Sequence, residues 1–168
     1  IAYDAPVQLK FTNAIQVAAS DAPAAVKAAA DLVCTGDDDQ ITINLGFTLG
    51  LKVELSSGNF YNAGSINMTG VGGPGGKDGA ALIGQGMGAD ILPLWGGSAP
   101  TIIHHNAAGS AIRLGNTSGS PRPVGQRLEH FLLQGNPAAT LAVEIIDGSQ
   151  WTIDDVFIAG FTKSGSYA

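Results

Sequence analysis

Residues 128–135 read Leu-Glu-His-Phe-Leu-Leu-Gln-Gly, and residues 153–160 read Ile-Asp-Asp-Val-Phe-Ile-Ala-Gly. An offset of 25 residues (153 − 128) places the apolar residues, an acidic residue and the closing glycine on matching positions. Each copy has the form apolar-x-x-apolar-x-apolar-x-Gly, in which a turn precedes a strand with alternating side chains. One such unit cannot bury its apolar face alone, but units stacked about 4.8 Å apart enclose a continuous core. The repeat therefore predicts an all-β fold, a right-handed parallel β-helix or β-solenoid.

The repeat also predicts which side chains point into this core. The expected inward residues of the two copies are Leu128, Phe131 and Leu133, stacked over Ile153, Val156 and Ile158. Residues 81–86 align with residues 130–135 at an offset of 49, close to the length of two coils, and Thr101–His104 would then belong to the intermediate coil. An antiparallel sandwich is the alternative, because short strands and many turns also fit that fold.

The rest of the chain divides into three regions. Residues 1–13 are predicted to be an arm or linker, residues 14–50 a helical capping segment, and residues 51–168 the coils, which we expect to be incomplete at the C-terminus. The predicted strands are Ile15–Val17, Leu51–Leu55, Ser65–Met68, Ala80–Ile83, Asp90–Leu94, Thr101–His104, Ala111–Leu114, Arg127–Leu133, Leu141–Ile146 and Trp151–Ile158.

The capping segment contains the main helical pattern. Ser20 and Asp21 form a predicted N-cap, and the apolar residues of the following Ala-rich stretch, 24–33, recur at helical spacing. The stripe consists of Ala25, Val26, Ala29, Leu32 and Val33. Residues 37–40, Asp-Asp-Asp-Gln, fit either a second helical turn or the start of a strand. The three carboxylates favour a solvated helix N-terminus over a calcium loop, because the ligand spacing of a calcium-binding loop is missing.

Three segments resemble pectate-lyase-like β-helix proteins. Residues 31–44, Asp-Leu-Val-Cys-Thr-Gly-Asp-Asp-Asp-Gln-Ile-Thr-Ile-Asn, resemble the lead-in of that family, and residues 53–60, Val-Glu-Leu-Ser-Ser-Gly-Asn-Phe, resemble the strand after it. Residues 82–91, Leu-Ile-Gly-Gln-Gly-Met-Gly-Ala-Asp-Ile, resemble a later strand. The resemblance implies a right-handed parallel β-helix whose open end is covered by its first helix. The Ala-rich residues 17–34 are most similar in style to tail, spike and fibre proteins of actinobacteriophages.

Composition excludes several classes of function. Charged residues make up 13% of the 168 residues, well below the usual value of about 25%. The net charge of −6 and the scattered basic residues provide no nucleic-acid-binding face and no polybasic membrane patch. No signal peptide and no membrane-spanning segment are expected. Cys34 is the single cysteine and is predicted to be a small core residue.

Candidate chemistry is sparse in this sequence. Glu129 and Asp154 should stack one coil apart with Asp155 beside them, as paired acid and base groups of a glycosidase or lyase would, although a turn role is favoured. The nearest basic groups are Arg113, Arg122 and Arg127. Trp95 and Trp151 could stack on sugar rings. No metal or cofactor is expected, because His104 and His105 should point to opposite faces and residues 70–77 lack the ending of a phosphate loop.

Three functions remain open at this stage. The favoured one is a structural virion-surface or tail spike or fibre protein, a rigid projection or host-recognition module. It would be a homotrimer, located in the virion or extracellularly, with other virion proteins as partners and Leu132 and Phe157 facing a partner subunit. The alternatives are a polysaccharide-degrading lyase or glycoside hydrolase and a passive adhesin, each of which would contact a cell-surface polysaccharide.

Overall fold

The computed structural model describes residues 14–69, 79–86, 100–115, 124–147 and 150–162. These residues form eleven strands and two helices, and most of the structure is parallel β-sheet. The elements in chain order are β1 (Ala14–Ala18), α1 (Ala24–Ala29), β2 (Leu32–Val33), α2 (Asp39–Leu49), β3 (Lys52–Leu55), β4 (Gly58–Asn62), β5 (Ile66–Asn67), β6 (Ala81–Ile83), β7 (Thr101–His105), β8 (Gly109–Gly115), β9 (Arg127–Gly135), β10 (Ala139–Ile146) and β11 (Thr152–Ala159).

The larger sheet curls around the core because two of its strands bend. Its order is β2-β1-β3-β6-β9-β7-β4, with β11 added to β9. The first residues of β9 pair with β6 and its last residues pair with β7, on either side of His130. His130 has a φ of 62° and Asp155 in β11 has a φ of 51°, so each strand turns a corner there. Both strands therefore run along two neighbouring parts of the sheet.

Strands from one passage of the chain pair in parallel with strands from the next. β3, β4 and β5 pair in parallel with β6, β7 and β8 respectively, and β10 joins β8 in the smaller sheet, whose order is β10-β8-β5. We call each such passage a circuit: β3–β5 is the first, β6–β8 the second, β9–β10 the third, and β11 begins a fourth. Parallel pairing throughout excludes the antiparallel sandwich for the described strands.

The 25-residue repeat is confirmed in its predicted register. Leu128 pairs with Ile153, Phe131 with Val156 and Leu133 with Ile158. The predicted offset of 49 for residues 81–86 is wrong, because Ala81 pairs with Arg127 and not with His130. β6 and β7 also lie in one circuit, so no intermediate coil separates β6 from β9. The circuits differ in length. The sequence similarity between residues 81–86 and 130–135 therefore does not correspond to the register in which the two strands pair.

The predicted strands agree with the structure wherever it describes them. The interpretation of Asp90–Leu94 lies outside the described residues, as do residues 1–13. Sequence patterns missed β4 as a separate strand, because Gly58 and two asparagines interrupt its apolar pattern. Phe60 of β4 is nonetheless fully buried and pairs with Ile103 of β7.

The core follows the predicted inward columns until the fourth circuit. Leu128, Phe131 and Leu133 are fully buried. Their partners one circuit later are not: Ile153 is 37% exposed and Ile158 is 43% exposed. Since β11 pairs only with β9 among the described strands, it is the edge of the stack there. The repeat therefore places apolar side chains correctly in register, but the last described circuit leaves them uncovered.

The first helix is shorter and less buried than its apolar stripe predicts. α1 ends at Ala29 and none of its residues is buried. Leu32 and Val33 instead form β2, which pairs in parallel with Val17 and Ala18 of β1. A stripe of mostly alanine buries little area, so the β-branched and leucine residues at its end gain more from joining the sheet.

The predicted N-cap is also wrong. Pro23 precedes the first helical residue, and no side chain caps α1. The Asp21 carboxylate instead accepts hydrogen bonds from the Asn59 backbone N–H, at 3.0 Å, and from its side-chain amide, at 2.7 Å. Asp21 therefore links the segment between β1 and α1 to β4.

The second helix, α2, packs against the first circuit. It contacts β1, β3, β4 and β5, and Ile43 and Phe47 are its fully buried apolar side chains. A side chain at Gly46 would press on Val53, with its first carbon 3.1 Å from the nearest valine methyl. The helical interpretation of residues 37–40 is thus the correct one, and the helix continues to Leu49.

Asp39 anchors the start of α2 from a buried position. It is 1% exposed, and its carboxylate accepts hydrogen bonds from the backbone N–H groups of Gly36, at 2.8 Å, and Tyr61, at 2.9 Å. Gln40 accepts from the N–H of Ala63 at 3.0 Å. The prediction of a solvated Asp triplet is therefore wrong for Asp39, while Asp37 and Asp38 are exposed as expected.

Replacing Asp39 with Asn should lower the free energy of unfolding by about 1–3 kcal/mol, because hydrogen bonds to a charged acceptor are lost or weakened. Asp38→Asn is the matched control: Asp38 is exposed and has a φ of 55°, a conformation that Asn tolerates well. Urea unfolding of both variants measures the difference. Equal stabilities of the two variants would contradict the anchoring role of Asp39.

Cys34 lies in the core, as the sequence predicts. It is 4% exposed, and burial together with the nearby Asp39 carboxylate raises the pKa of its thiol to about 12. A thiol in this state is a poor nucleophile.

Neither helix in the described part of the chain is long and apolar enough to cross a membrane.

Candidate functional site

The predicted acidic column exists on the outside of the third and fourth circuits. Glu129 and Asp154 are register partners in β9 and β11, so the two carboxylates stack one circuit apart. Glu129 forms an ion pair with Arg127, with 3.0 Å between Nη1 and Oε1. Asp154 is exposed. Glu129 thus already has a cationic partner, and the column offers one free carboxylate beside a paired one.

Asp155 and His130 occupy the corner of the same two strands. Nδ1 of His130 lies 3.2 Å from the Asp155 carboxylate, and both side chains are nearly half exposed. Both residues have the left-handed backbone conformation, which Asp and His adopt more readily than most residues. The turn role predicted for these positions therefore has a direct structural reason.

The remaining predicted groups do not converge on this column. Arg113 pairs with Glu144 on the other sheet, with 2.8 Å between Nε and Oε2. Trp151 is 39% exposed just before β11, where its ring is accessible. Trp95, Arg122 and the glycine-rich residues 70–77 lie outside the described residues. The structure therefore brings together Glu129, Asp154, Asp155 and His130.

His104 and His105 point to opposite faces of β7, as predicted. His104 stacks on Tyr61, with ring centroids 4.8 Å apart, and its Nε2 lies 2.9 Å from Oδ1 of Asn59. His105 points inward and is fully buried. Among the residues that the structure describes, no group of three or more His, Cys, Asp or Glu side chains could hold a metal ion.

Acidification should destabilise the fold through His105. Burial lowers the pKa of His105 below its ordinary value of 6.5, and the Gly64 backbone acts in the opposite direction. Below about pH 6.5 the unfolded chain then binds more protons than the folded chain. The stability that neutral, buried His105 contributes is therefore fully present above about pH 6.5, and it is lost as the pH falls toward the pKa of His105 in the folded protein. Burial also lowers the pKa of His104, which adds to this loss.

Urea midpoints measured between pH 8 and pH 5 test this pH dependence. A His105→Phe variant should have a flatter profile than the parent protein, because it removes the group with the deepest burial. An unchanged profile in this variant would show that the pH dependence arises elsewhere.

Sequence reasoning missed one polar and aromatic surface on the first two circuits. We call it the Tyr61 face, and it consists of Asp21, Asn59, Tyr61 and His104. Tyr61 is 39% exposed, and the other three are joined by hydrogen bonds from Asp21 through Asn59 to His104. Only the register of β4 with β7, which aligns Tyr61 with His104, brings these residues together. No signal in the sequence reports that register.

Comparison with known proteins adds no relative to these observations. No family model, no curated protein and no solved structure matches the chain.

Proposed function

We propose that the chain forms a right-handed parallel β-helix with α2 as the cap of its first circuit. The support is the order of pairing, in which successive strands of one circuit lie in parallel on successive strands of the next. Crossover connections between parallel strands are right-handed in about 98% of cases, which gives the hand of the coil. α2 contacts all three strands of the first circuit, as a cap would.

In this proposal the β-helix is a structural element, a rigid spike, fibre or host-recognition module on the surface or tail of a virion. One observation carries the structural role: the core column that is buried at Leu133 is 43% exposed at Ile158 in the same register. Stacking is how this fold buries such side chains. The fourth circuit is therefore the surface on which further coils or a partner protein would sit.

A second apolar column supports assembly into a homotrimer. Ile102, Leu132 and Phe157 are register partners on the outer side of β7, β9 and β11. Phe157 is 44% exposed, and an aromatic side chain of this kind is typical of the centre of a protein interface. The phage setting rests on the resemblance of the Ala-rich residues 17–34 to phage tail, spike and fibre proteins, and it implies a location in the virion or outside the cell.

Light scattering coupled to size exclusion tests the assembly. We expect a trimeric mass at micromolar concentration, and a smaller mass for Phe157→Ser. Val26→Ser is the matched control, since Val26 is 38% exposed on α1 and lies away from the column. A monomeric mass for the parent protein would contradict the proposed assembly.

A polysaccharide-degrading activity is the alternative, and the stacking of Glu129 on Asp154 is the observation in its favour. The two residues lie on neighbouring strands about 4.8 Å apart, a spacing close to the 5–5.5 Å between the carboxyl groups of retaining glycosidases. A panel of acidic and neutral bacterial polysaccharides, assayed for new reducing ends and unsaturated products, tests it. Activity that is lost in Glu129→Gln or Asp154→Asn would replace the structural proposal.

Passive carbohydrate binding is favoured by the Tyr61 face. Its exposed aromatic ring lies beside amide and carboxylate groups, a combination that fits the apolar face and hydroxyl edges of a sugar. The predicted platform, Trp151, provides the internal comparison. If this face binds glycan, Tyr61→Ala should abolish retention on a glycan array while Trp151→Ala retains it; the reverse result would identify Trp151 as the platform.

A further inference from the structure

Two buried polar side chains lie side by side on neighbouring strands inside the stack. Asn62 at the end of β4 and His105 at the end of β7 are register partners, 1% and 0% exposed. Neither amide atom of Asn62 and neither ring nitrogen of His105 has a hydrogen-bond partner of normal geometry. Buried polar atoms in folded proteins are nearly always paired with protein groups or with ordered water. Four unpaired atoms on two adjacent residues therefore indicate a missing hydrogen-bonding partner.

The surroundings of the pair restrict what that partner is. The column continues from His105 to Gly135, and a side chain at Gly135 would press on the ring of Phe161 at 3.0 Å. The Phe161 ring lies parallel to that of His105, with centroids 6.4 Å apart, and closes this side with an apolar surface. Burial and the Gly64 backbone shift the pKa of His105, and no charged side chain contributes to that shift.

The site therefore lacks the carboxylates that a bound cation requires and offers donors and acceptors to a neutral molecule. We propose that Asn62, His105 and the Gly64 carbonyl enclose a binding site for a buried water molecule that joins the first circuit to the second. Three polar partners are the usual number for an internal water. The water would accept from the Asn62 amide N–H, donate one hydrogen to the unprotonated ring nitrogen of His105, and donate the other to the Gly64 carbonyl.

Substitutions of the two residues distinguish a site that holds a water molecule from a pair of side chains that simply lack hydrogen-bond partners. If a water is bound, Asn62→Leu and His105→Phe should each lower Tm by several degrees, because each leaves the water and the other side chain without a partner. The double variant should have a higher Tm than the sum of the single losses predicts. If the side chains are merely unsatisfied, each single substitution removes a buried polar group and raises Tm, which overturns the proposal.

Two further measurements complete the test on the full chain. His104→Phe, on the outer side of the same strand, is the control, and we expect it to change Tm less than His105→Phe does. A crystal structure at 1.8 Å or better, at pH 7.5, should show density for a water within about 3.2 Å of the Asn62 and His105 side chains. A direct hydrogen bond between Asn62 and His105, with no water between them, would overturn the proposal whatever the Tm values.

Discussion

Replacing Leu133 with Ala should lower the free energy of unfolding by about 3–5 kcal/mol, because it opens a cavity in a fully buried column. Leu133 lies between Ile103 of the second circuit and Ile158 of the fourth, so the cavity has packed neighbours on both sides. Urea denaturation followed by circular dichroism measures the loss. The slope of the transition should stay close to that of the parent, since the surface exposed on unfolding hardly changes.

Ile158→Ala is the matched control for this variant. Ile158 occupies the same column one circuit later, but it is 43% exposed and has a neighbour on one side only among the described strands. We expect a loss of about 1 kcal/mol or less in a sample that light scattering shows to be monomeric. Equal losses for the two substitutions in such a sample would contradict the account of β11 as the open edge of the stack.

Gly115→Ala should be the most damaging small substitution in β8, at about 3–5 kcal/mol. Gly115 has a φ of 96°, which residues with a side chain rarely adopt. It is also the register partner of Ile146, and an added methyl group would overlap the Ile146 backbone carbonyl. The clash is with backbone, so relief requires that β8 and β10 move apart.

Gly109→Ala, at the other end of the same strand, distinguishes the backbone strain of a positive φ from the steric clash with the neighbouring strand. Gly109 has a φ of 93°, but a methyl group there meets nothing within 4 Å. Its cost should therefore be the conformational strain alone, about 1–2 kcal/mol. A loss for Gly109→Ala as large as that for Gly115→Ala would show that close packing of β8 on β10 is not the cause.

The sequence predicts the register of the third and fourth circuits because the two copies of the repeat lie in consecutive circuits, with no further circuit between them. Leu128, Phe131 and Leu133 could be assigned to the core from that offset alone, and all three are buried. Residues 81–86 could not be placed in the same way, since circuits of unequal length have no constant offset. The α1 segment was misjudged for a different reason, because helical spacing of small residues does not measure how much area they bury.

The site residues could likewise be predicted where they belong to the repeat and could not be predicted elsewhere. Glu129 and Asp154 were predicted to stack because they belong to the repeat, and the structure pairs them. Asn62 and Tyr61 escaped notice because their partners, His105 and His104, lie 43 residues later with no repeated pattern between them. Pairing of non-repeated circuits is set by the three-dimensional stack, and a single sequence contains no signal for it.

Crosslinking of engineered cysteine pairs, in a Cys34→Ala background, tests the parallel stacking of circuits most directly. The pairs 129/154 and 134/159 are register partners in β9 and β11, and neighbouring strands at about 4.8 Å are close enough for a disulfide. Under mild oxidation, peptide mass spectrometry should find disulfides in both of these pairs and in neither of the crossed pairs, 129/159 and 134/154. Disulfides in the crossed pairs instead would show that the strands run antiparallel and would contradict the stacked parallel fold.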